Sequence, residues 1–465
     1  MARTTLTQIR RDLVAALRGD EQDFTTGSIS RGVLILAVPM MLELVFESVF
    51  AVVDVFFVAR LGAEAVAAVG VTEVFVILIF AGSVGLGAGA TAMVARRTGE
   101  GDHAAATLAA GQAIFLGVIC GCITGVVGVM LAPKLLGWMG ASDEVIAIGT
   151  PYTTVMLGTS VVIYLLFVIN AAFRGAGEAA VAMKVLTVAN LINIVLDPCL
   201  IFGLGPFPEL GLEGAAWATV IGRGTGVAFQ IWILVRSSRL HVELRHLVPD
   251  PKVLGRLARV SSAAVVQYLL PTGSWIAIIR LLAVFGDAAI AGYTIAWRIG
   301  VFVYLPAWGL SNAAATMVGQ NLGAKKPDRA ERAVWFAGRT ALVYLTIPAL
   351  AFLFIPETLM RFFNTEASVV AIGATLLFVW GLALFPSSHG LVALQGFNGA
   401  GDTTTPMIIN GVVYWLCQIP IAVLLAFVVG LDERGVLYAV GIAETTLAII
   451  SIVLFRRGRW KTKMI

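Results

Sequence analysis

Residues 173–178 read Phe-Arg-Gly-Ala-Gly-Glu, and 224 positions later (397 − 173) residues 397–402 read Phe-Asn-Gly-Ala-Gly-Asp. One six-residue echo is within the reach of chance, but the surrounding register removes that reading. At the same offset Gly62, Ala65 and Ala67 return as Gly286, Ala289 and Ala291, and Gly85-Leu86 returns as Gly309-Leu310. Met93-Val94 with Gly99 returns as Met317-Val318 with Gly323, and Gly211 returns as Gly435. No gap is needed anywhere in the series. The chain is one unit written twice.

Composition says what medium that unit occupies. The 465 residues are 59% hydrophobic and 13% charged. A soluble domain carries about a quarter charged residues to cover its surface, so a lipid-facing surface accounts for the shortfall. Apolar stretches such as 33–58, 113–132 and 407–429 are each long enough to cross about 30 Å of hydrocarbon as a helix. Breaking these runs at Gly, Pro and charge clusters predicts twelve segments, helix 1 to helix 12. They start near residues 32, 64, 104, 145, 181, 211, 253, 288, 333, 368, 406 and 435.

The connections alternate in basic content. One set holds Arg96-Arg97, Arg174 with Lys184, the run from Arg236 to Arg259, Lys325-Lys326 with Arg329 and Arg332, and Arg456-Arg457 with Arg459 and Lys461. The other set holds isolated Arg60, Lys134, Arg361 and Arg434, with Asp143-Glu144 and Asp432-Glu433 nearby. The positive-inside rule then puts both termini in the cytoplasm. Six crossings per half keep the orientation of the second half, so the halves relate by an axis along the membrane normal. The expected fold is an all-α integral membrane protein, twelve transmembrane helices in two homologous six-helix lobes. Its parts are a cytoplasmic N-terminal segment (1–30), an N-lobe of helices 1–6 (31–236), a cytoplasmic linker (237–252), a C-lobe of helices 7–12 (253–456) and a cytoplasmic tail (457–465). Transporters built this way bind substrate between halves and alternate its access to the two sides.

Several other readings fall away. The first 27 residues mix four acids with four arginines and have no long apolar core, so they do not read as a secretory signal. Thr5–Leu17 reads instead as a short amphipathic helix on the cytoplasmic face or as a tail partly ordered against the bundle. Cys120, Cys122, Cys199 and Cys417 lie in apolar runs without metal or redox spacing and read as packing thiols. The glycines of Val84–Gly89 lie inside an apolar helix with no strand before them, which suits close helix packing rather than a phosphate loop. No HExxH, Gly-x-Ser-x-Gly or paired-His motif points to an enzyme, and nothing points to nucleic acid. Arg96-Arg97-Thr-Gly-Glu-Gly-Asp102 does not fit the helix 2–3 loop of major-facilitator transporters.

Ionisable residues within the bilayer are functional hypotheses by default. The first half holds Glu43, Glu47, Asp54, Glu73, Asp197 and Arg223, while in the second half Glu444 is the clearest acid. Positions equivalent to Asp54 and Asp197 are Ile278 and Ile421, so these acids belong to one lobe. Asp54 lies eight residues before Gly62, about 12 Å by helical rise. Asp197 lies six before Gly203, and Thr219 eight after Gly211, which predicts one depth for all three. Asn193 with Asp197 and Ala215 with Thr219 are i,i+4 pairs, and Glu43, Glu47, Phe50 and Asp54 share a face. Two buried carboxylates with amide and hydroxyl neighbours suit a bound proton or Na⁺. A purely structural polar network tying helices 1, 5 and 6 together is the alternative. Pro39 interrupts the hydrogen-bond ladder of helix 1 below the acids, as a hinge or a passive kink. Arg223 is expected to pair with Glu47 or to contact substrate, and His389 reads as structural. Glu43, Glu73 and Glu444 have no assigned role.

Together these residues resemble the multidrug and toxic compound extrusion (MATE) family over about residues 30–455. The marks are Pro39, Asp54 followed by Val-Phe-Phe-Val-Ala-Arg-Leu-Gly62, the Arg-Gly-Ala-Gly-Glu178 loop, Asn-Ile-Val-Leu-Asp-Pro198 and Val-Gly-Gln-Asn-Leu-Gly-Ala324. The resemblance implies two lobes around a central cavity that export organic compounds against an inward H⁺ or Na⁺ gradient. It is similar to the branch of the DNA-damage-inducible proteins, in which coupling resides in the N-lobe. That branch carries a helix 1 aspartate fifteen residues after a proline, as Asp54 follows Pro39. Its ion site implies cation-coupling roles for Asp54, Asn193, Asp197, the Ala215 carbonyl and Thr219, which would also be the Na⁺ ligands if sodium is the coupling ion. Tyr152 and Asn170 match a helix 4 tyrosine and asparagine of that branch. Other branches use acids in helices 7 and 10; here helix 7 has Gln267 and helix 10 has none, which argues against coupling in the C-lobe. Glu47, on the cavity face, adds cation preference or a second proton site.

The expected activity is therefore secondary active export of amphipathic, cationic compounds by alternating access, without a cofactor, coupled to H⁺ or Na⁺. A lipid or lipid-linked saccharide flippase is the alternative, and would call for a basic cavity. The resemblance also implies a monomer in the cell membrane.

Overall fold

The computed structural model describes residues 6–19, 22–236 and 239–465. Thr5, where the amphipathic helix was expected to begin, and the first two residues of the 237–252 linker lie outside them. The amphipathic helix itself runs Leu6–Arg18, with Ala15 and Ala16 buried and Leu13, Val14 and Leu17 exposed.

Eleven single helices among the described residues are long and apolar enough to cross a membrane, and one bent pair makes the twelfth span. Helices 1 to 3 are Ile29–Val58, Ala63–Gly99 and His103–Trp138. Helix 4 is the pair Asp143–Gly158 and Ser160–Ala176, and helices 5 and 6 are Ala179–Phe202 and Leu212–Arg236. In the second half, helices 7 to 9 are Pro251–Leu282, Asp287–Gly323 and Pro327–Phe354. Helix 10 is Ala367–Gly399, helix 11 Thr404–Val428 and helix 12 Asp432–Arg456.

The repeat seen in the sequence is a repeat in space. Helices 2, 3 and 4 start at Ala63, His103 and Asp143; helices 8, 9 and 10 start 224 residues later at Asp287, Pro327 and Ala367. The turns agree as well. Gly62 and Gly286 enter helices 2 and 8 with φ of 111° and 95°, which L side chains rarely adopt.

Two local features differ between the halves and were not legible in the apolar pattern. Helix 4 bends by 40° at Thr159, where the Thr159 hydroxyl donates to Val155 O at 2.7 Å and Ser160 Oγ donates to Leu157 O. Hydroxyls that bond back to the helix backbone loosen the regular ladder and favour a bend. Its counterpart, helix 10, has Ala383 at the position of Thr159 and runs unbroken. Helix 11 is π-helical over Gly411–Gln418 and Leu424–Val428, whereas helix 5 is α-helical throughout.

Packing divides the chain into two compact units, Met1–Met41 with Val266–Ile465, and Leu42–Val265. The boundaries fall inside helices 1 and 7, so the packing division differs from the repeat division at 31–236 and 253–456. In the first unit, Phe24 O accepts from Asn321 Nδ2 at 3.3 Å, and Arg329 Nη1 donates to Gly27 O at 2.9 Å. A Cβ on Gly309 would stand 2.6 Å from Met40 O. In the second unit, a Cβ on Gly85 would stand 2.6 Å from the Val265 backbone. Gly85 and Gly309 are equivalent positions, so the glycine pair of the repeat marks where each half receives the start of a helix from the other part of the sequence. Lipid tails are as apolar as leucine, so close approach through small residues, rather than water exclusion, holds membrane helices together.

Within the first unit, helix 10 packs on helices 8, 9 and 12, around a core that includes Ile278, Tyr293, Phe352, Met360, Trp380 and Leu437. Within the second, helix 2 packs on the second part of helix 4 and helix 5 on helix 6. The four cysteines are free. Cys120, Cys199 and Cys417 are half-buried, but Cys122 is exposed, so it is not the packing thiol its apolar surroundings suggested.

Candidate functional site

The ionisable residues of the first half gather in the unit Leu42–Val265, in two layers. The layer nearer Pro39 is closed by ion pairs. Glu43 is 4% exposed; its Oε1 accepts from Arg174 Nη1 at 2.8 Å and from Asn170 Nδ2 at 3.4 Å. Asn170 Oδ1 in turn accepts from Gln230 Nε2 at 2.7 Å, and that amide also donates to Leu166 O at 3.0 Å. One turn along helix 1, Glu47 Oε1 pairs with Arg223 Nη2 at 3.3 Å, and its Oε2 accepts from Asn190 Nδ2 at 3.1 Å. Arg223 lies between the rings of Phe50 and Phe80, 5.6 and 5.2 Å from their centroids. Of the two roles open to Arg223, the structure therefore gives it the Glu47 pair. Glu43, without a role in the sequence, closes the layer beneath.

The second layer is not closed in this way. Asp197 is fully buried, yet neither of its oxygens accepts a well-formed hydrogen bond among the described residues. Asn193, one turn earlier, donates through Nδ2 to Thr219 Oγ1 at 3.1 Å, and its own Oδ1 is buried without a partner among the described residues. Helices 5 and 6 reach this distance because Gly222 lets them touch: a Cβ there would stand 2.7 Å from Ala189 O. Ala215 is buried one turn from Thr219. Asp54 is half-buried and within electrostatic reach of Asp197, Arg223 and Glu73. Tyr152, 5% exposed, faces the same group of Asp54, Glu73, Asp197 and Arg223.

The geometry thus brings Asp54, Asn193, Asp197, Thr219, Tyr152, Glu47 and Arg223 together in one unit, with Asn170 in the layer beneath. Glu73, an intramembrane acid that the sequence left without a role, joins them. Among the described residues no three His, Cys, Asp or Glu side chains cluster as metal ligands; the group consists of carboxylates with amide, hydroxyl and carbonyl oxygens. A buried carboxylate that lacks a partner must hold a proton or a cation, because an isolated buried charge is too costly. Pro39 lies inside helix 1, which continues through it to Val58, so it does not break the helix. The packing boundary falls two residues beyond it.

Gln267 lies elsewhere, in the other unit. It lines a cavity of about 320 Å³ together with Glu444. His389 pairs with its neighbour, Nδ1 lying 3.0 Å from Ser388 Oγ, and packs beside Trp335, consistent with a structural role.

Twelve apolar spans, a six-helix repeat in one orientation and an incompletely satisfied carboxylate group inside one half define a multi-pass membrane transporter. The chain belongs to the MatE family: that family model matches residues 39–199 and 263–424, two blocks whose starts again lie 224 residues apart. The chain is 25% identical over 439 residues to a protein named FAD transporter of Shewanella oneidensis, covering 94% of this chain and 97% of that one. It is 26% identical over 454 residues to the probable multidrug resistance protein YoeA of Bacillus subtilis, covering 94% and 96%. A solved MOP superfamily transporter from Pyrococcus furiosus, described as having a binding pocket of reverse polarity, superposes with a TM-score of 0.87. That match has 26% identity and covers 97% of this chain and 99% of the other.

Proposed function

We propose that this protein is a secondary active exporter of amphipathic, cationic organic compounds. It exchanges them for H⁺ or Na⁺ by alternating access, in the cell membrane, with both termini cytoplasmic and the chain acting as a monomer. The observation that carries the proposal is Asp197: a fully buried carboxylate whose two oxygens lack well-formed partners, beside an equally unpartnered Asn193 Oδ1. Asp54 supplies the second carboxylate, and the Ala215 carbonyl and Thr219 hydroxyl the remaining oxygens. A proton on either acid, or Na⁺ among these oxygens, relieves the charge repulsion and satisfies the orphaned atoms at once. This is the coupling arrangement of the branch similar to the DNA-damage-inducible proteins. Glu47, Tyr152, Asn170 and Arg223 form the polar surround, Gln267 belongs to the substrate path, and Pro39 is the flexible point of helix 1.

Relatives named as multidrug resistance or export proteins support the cargo class. Flipping a lipid-linked saccharide, or carrying a flavin dinucleotide, calls for cations able to hold phosphate. The two arginines that face the helix 1 acids, Arg174 and Arg223, are each paired with a glutamate, which disfavours both cargoes.

The test is efflux of a fluorescent lipophilic cation from proteoliposomes under an imposed pH or sodium gradient. Export should follow one of the two gradients and be lost in Asp54→Asn and Asp197→Asn. Gradient-driven export that survives in Asp54→Asn would refute the coupling site, and transport under neither gradient would turn the assignment towards a lipid substrate.

A further inference from the structure

The cavity in the second half is left unused by the coupling mechanism. Its walls come from helices 7, 8, 10, 11 and 12, all within Val266–Ile465, and enclose about 320 Å³. Six aromatic side chains line it: Tyr268, Trp297, Tyr304, Trp308, Trp380 and Tyr414. Trp297 and Trp380 stack with centroids 5.1 Å apart, Tyr304 leans on Trp380 at 6.5 Å, and Tyr268 on Trp308 at 5.9 Å.

Into this apolar wall are set a few polar groups, of which Glu444 is the one carboxylate among the described residues. Glu444 is 8% exposed. Its Oε1 accepts from the Tyr414 hydroxyl at 2.9 Å, and among the described residues no lysine or arginine lies close enough to pair with it. Gln267 Oε1 and Asn410 Oδ1 are buried with no hydrogen-bond partner among the described residues, on side chains 4% and 6% exposed. Their backbones and amide groups hold them there: Asn410 Nδ2 donates to Gln267 O at 2.9 Å. Glu444 therefore borders a ring-lined space with no lysine or arginine paired to it among the described residues.

The repeat explains how the space arose. At the offset of 224, Gln267 stands where the first half has Glu43, Tyr414 where it has Asn190, and Leu447 where it has Arg223. In the first half those side chains fill the interior with ion pairs; in the second the same positions line the cavity. Tyr414 sits in the π-helical run Gly411–Gln418. Such wide turns are uncommon and occur often at functional sites.

We propose that this cavity is a binding site for a protonated organic amine with an aromatic body. The rings present their negative faces to the cation, and Glu444 supplies the counter-charge. Pockets that are mostly apolar with a few convergent polar groups are the usual form of small-molecule sites. A carboxylate with no lysine or arginine beside it favours an N–H cation over a neutral body of the same shape. The site deepens the export reading by locating its cargo, but binding needs neither a gradient nor the first-half acids.

The experiment is isothermal titration of the detergent-purified full chain with 1-naphthylmethylamine and with 1-ethylnaphthalene, the hydrocarbon in which a methyl group replaces the amine. The wild type should bind the amine at least tenfold more tightly. Glu444→Gln should lose that preference while still binding the hydrocarbon, whose binding reports an intact cavity, and Glu444→Asp should retain part of the preference. Equal affinity for the two compounds in the wild type, as expected of a cavity filled by a lipid acyl chain, overturns the proposal, as does an undiminished preference in Glu444→Gln. Amine preference without gradient-driven efflux would sink the export reading and leave this site standing. Efflux without amine preference would do the reverse.

Discussion

Removing Arg174 should cost more than removing its partner, and the structure gives the reason. Glu43 is 4% exposed and Arg174 16%, with the contact at 2.8 Å. Arg174→Ala leaves a carboxylate sealed in the interior, with only the Asn170 amide at 3.4 Å to support it. Breaking a buried pair in this way costs about 3–5 kcal/mol, most of it the uncompensated charge. Glu43→Gln is milder, on the order of 1–2 kcal/mol, because the substituted amide oxygen still accepts from Asn170. Arg174 sits in the last turn of helix 4 and is the more exposed partner, so water can reach its charge. The double variant carries no buried charge and should therefore be more stable than Arg174→Ala alone. A double-mutant cycle on purified protein, read by loss of folded monomer on heating, measures all three. A double variant less stable than Arg174→Ala, or equal effects of the two single changes, would refute the argument that the carboxylate is the stranded group.

Other consequences follow from particular contacts. Thr219→Val removes the oxygen that accepts from Asn193 Nδ2, so gradient-driven efflux should fall several-fold while thermal stability changes by about 1 kcal/mol, the worth of one hydrogen bond. Gly309→Ala drives a methyl to 2.6 Å from Met40 O and should destabilise by roughly 1–3 kcal/mol through overpacking. Gly70→Ala, in helix 2 with nothing within 4 Å of the new methyl, should be neutral or stabilising by about 0.5–1 kcal/mol; the same heating assay compares the two. At the C-terminus Lys461 Nζ lies 2.6 Å from Glu331 and 3.2 Å from Asp328, and the bond to Glu331 holds the ammonium above its ordinary pKa. Because the folded value is the higher one, this clamp contributes fully below the unfolded pKa and is lost as pH rises through the raised one. Lys461→Met should therefore lower stability at pH 8, and the difference from wild type should shrink once the pH passes the ordinary lysine range.

How much of this was legible in advance differs from residue to residue. The pairing of Glu47 with Arg223 followed from face and depth, because helical rise and period fix where a side chain sits once a helix spans the bilayer. The bend at Thr159 and the π-helical run of helix 11 did not, since apolar composition records that a segment crosses and not how its ladder is wound. Glu73 and Glu444 were visible as charges in apolar helices, but the residues they meet, Asp54 and Tyr414, lie on the adjoining helices 1 and 11, and composition does not say which faces of consecutive helices meet. Nothing local connects Glu444 to Tyr414, or Glu73 to Asp54.

The sequence by itself determined the twelve apolar spans, the twofold repeat and the one-sided distribution of acids. Each is a property of composition and spacing along a helix, and the bilayer enforces them by requiring every backbone polar group to be satisfied within its own span. The tertiary structure decided that the starts of helices 1 and 7 pack with the opposite ends of the chain, where Gly309 meets Met40 and Gly85 meets Val265. It also decided which acids are paired and which are left with unmet oxygens. Those outcomes depend on which helices lie side by side, and that is settled by close packing of small residues over contacts hundreds of positions apart, which no periodicity along one helix can encode.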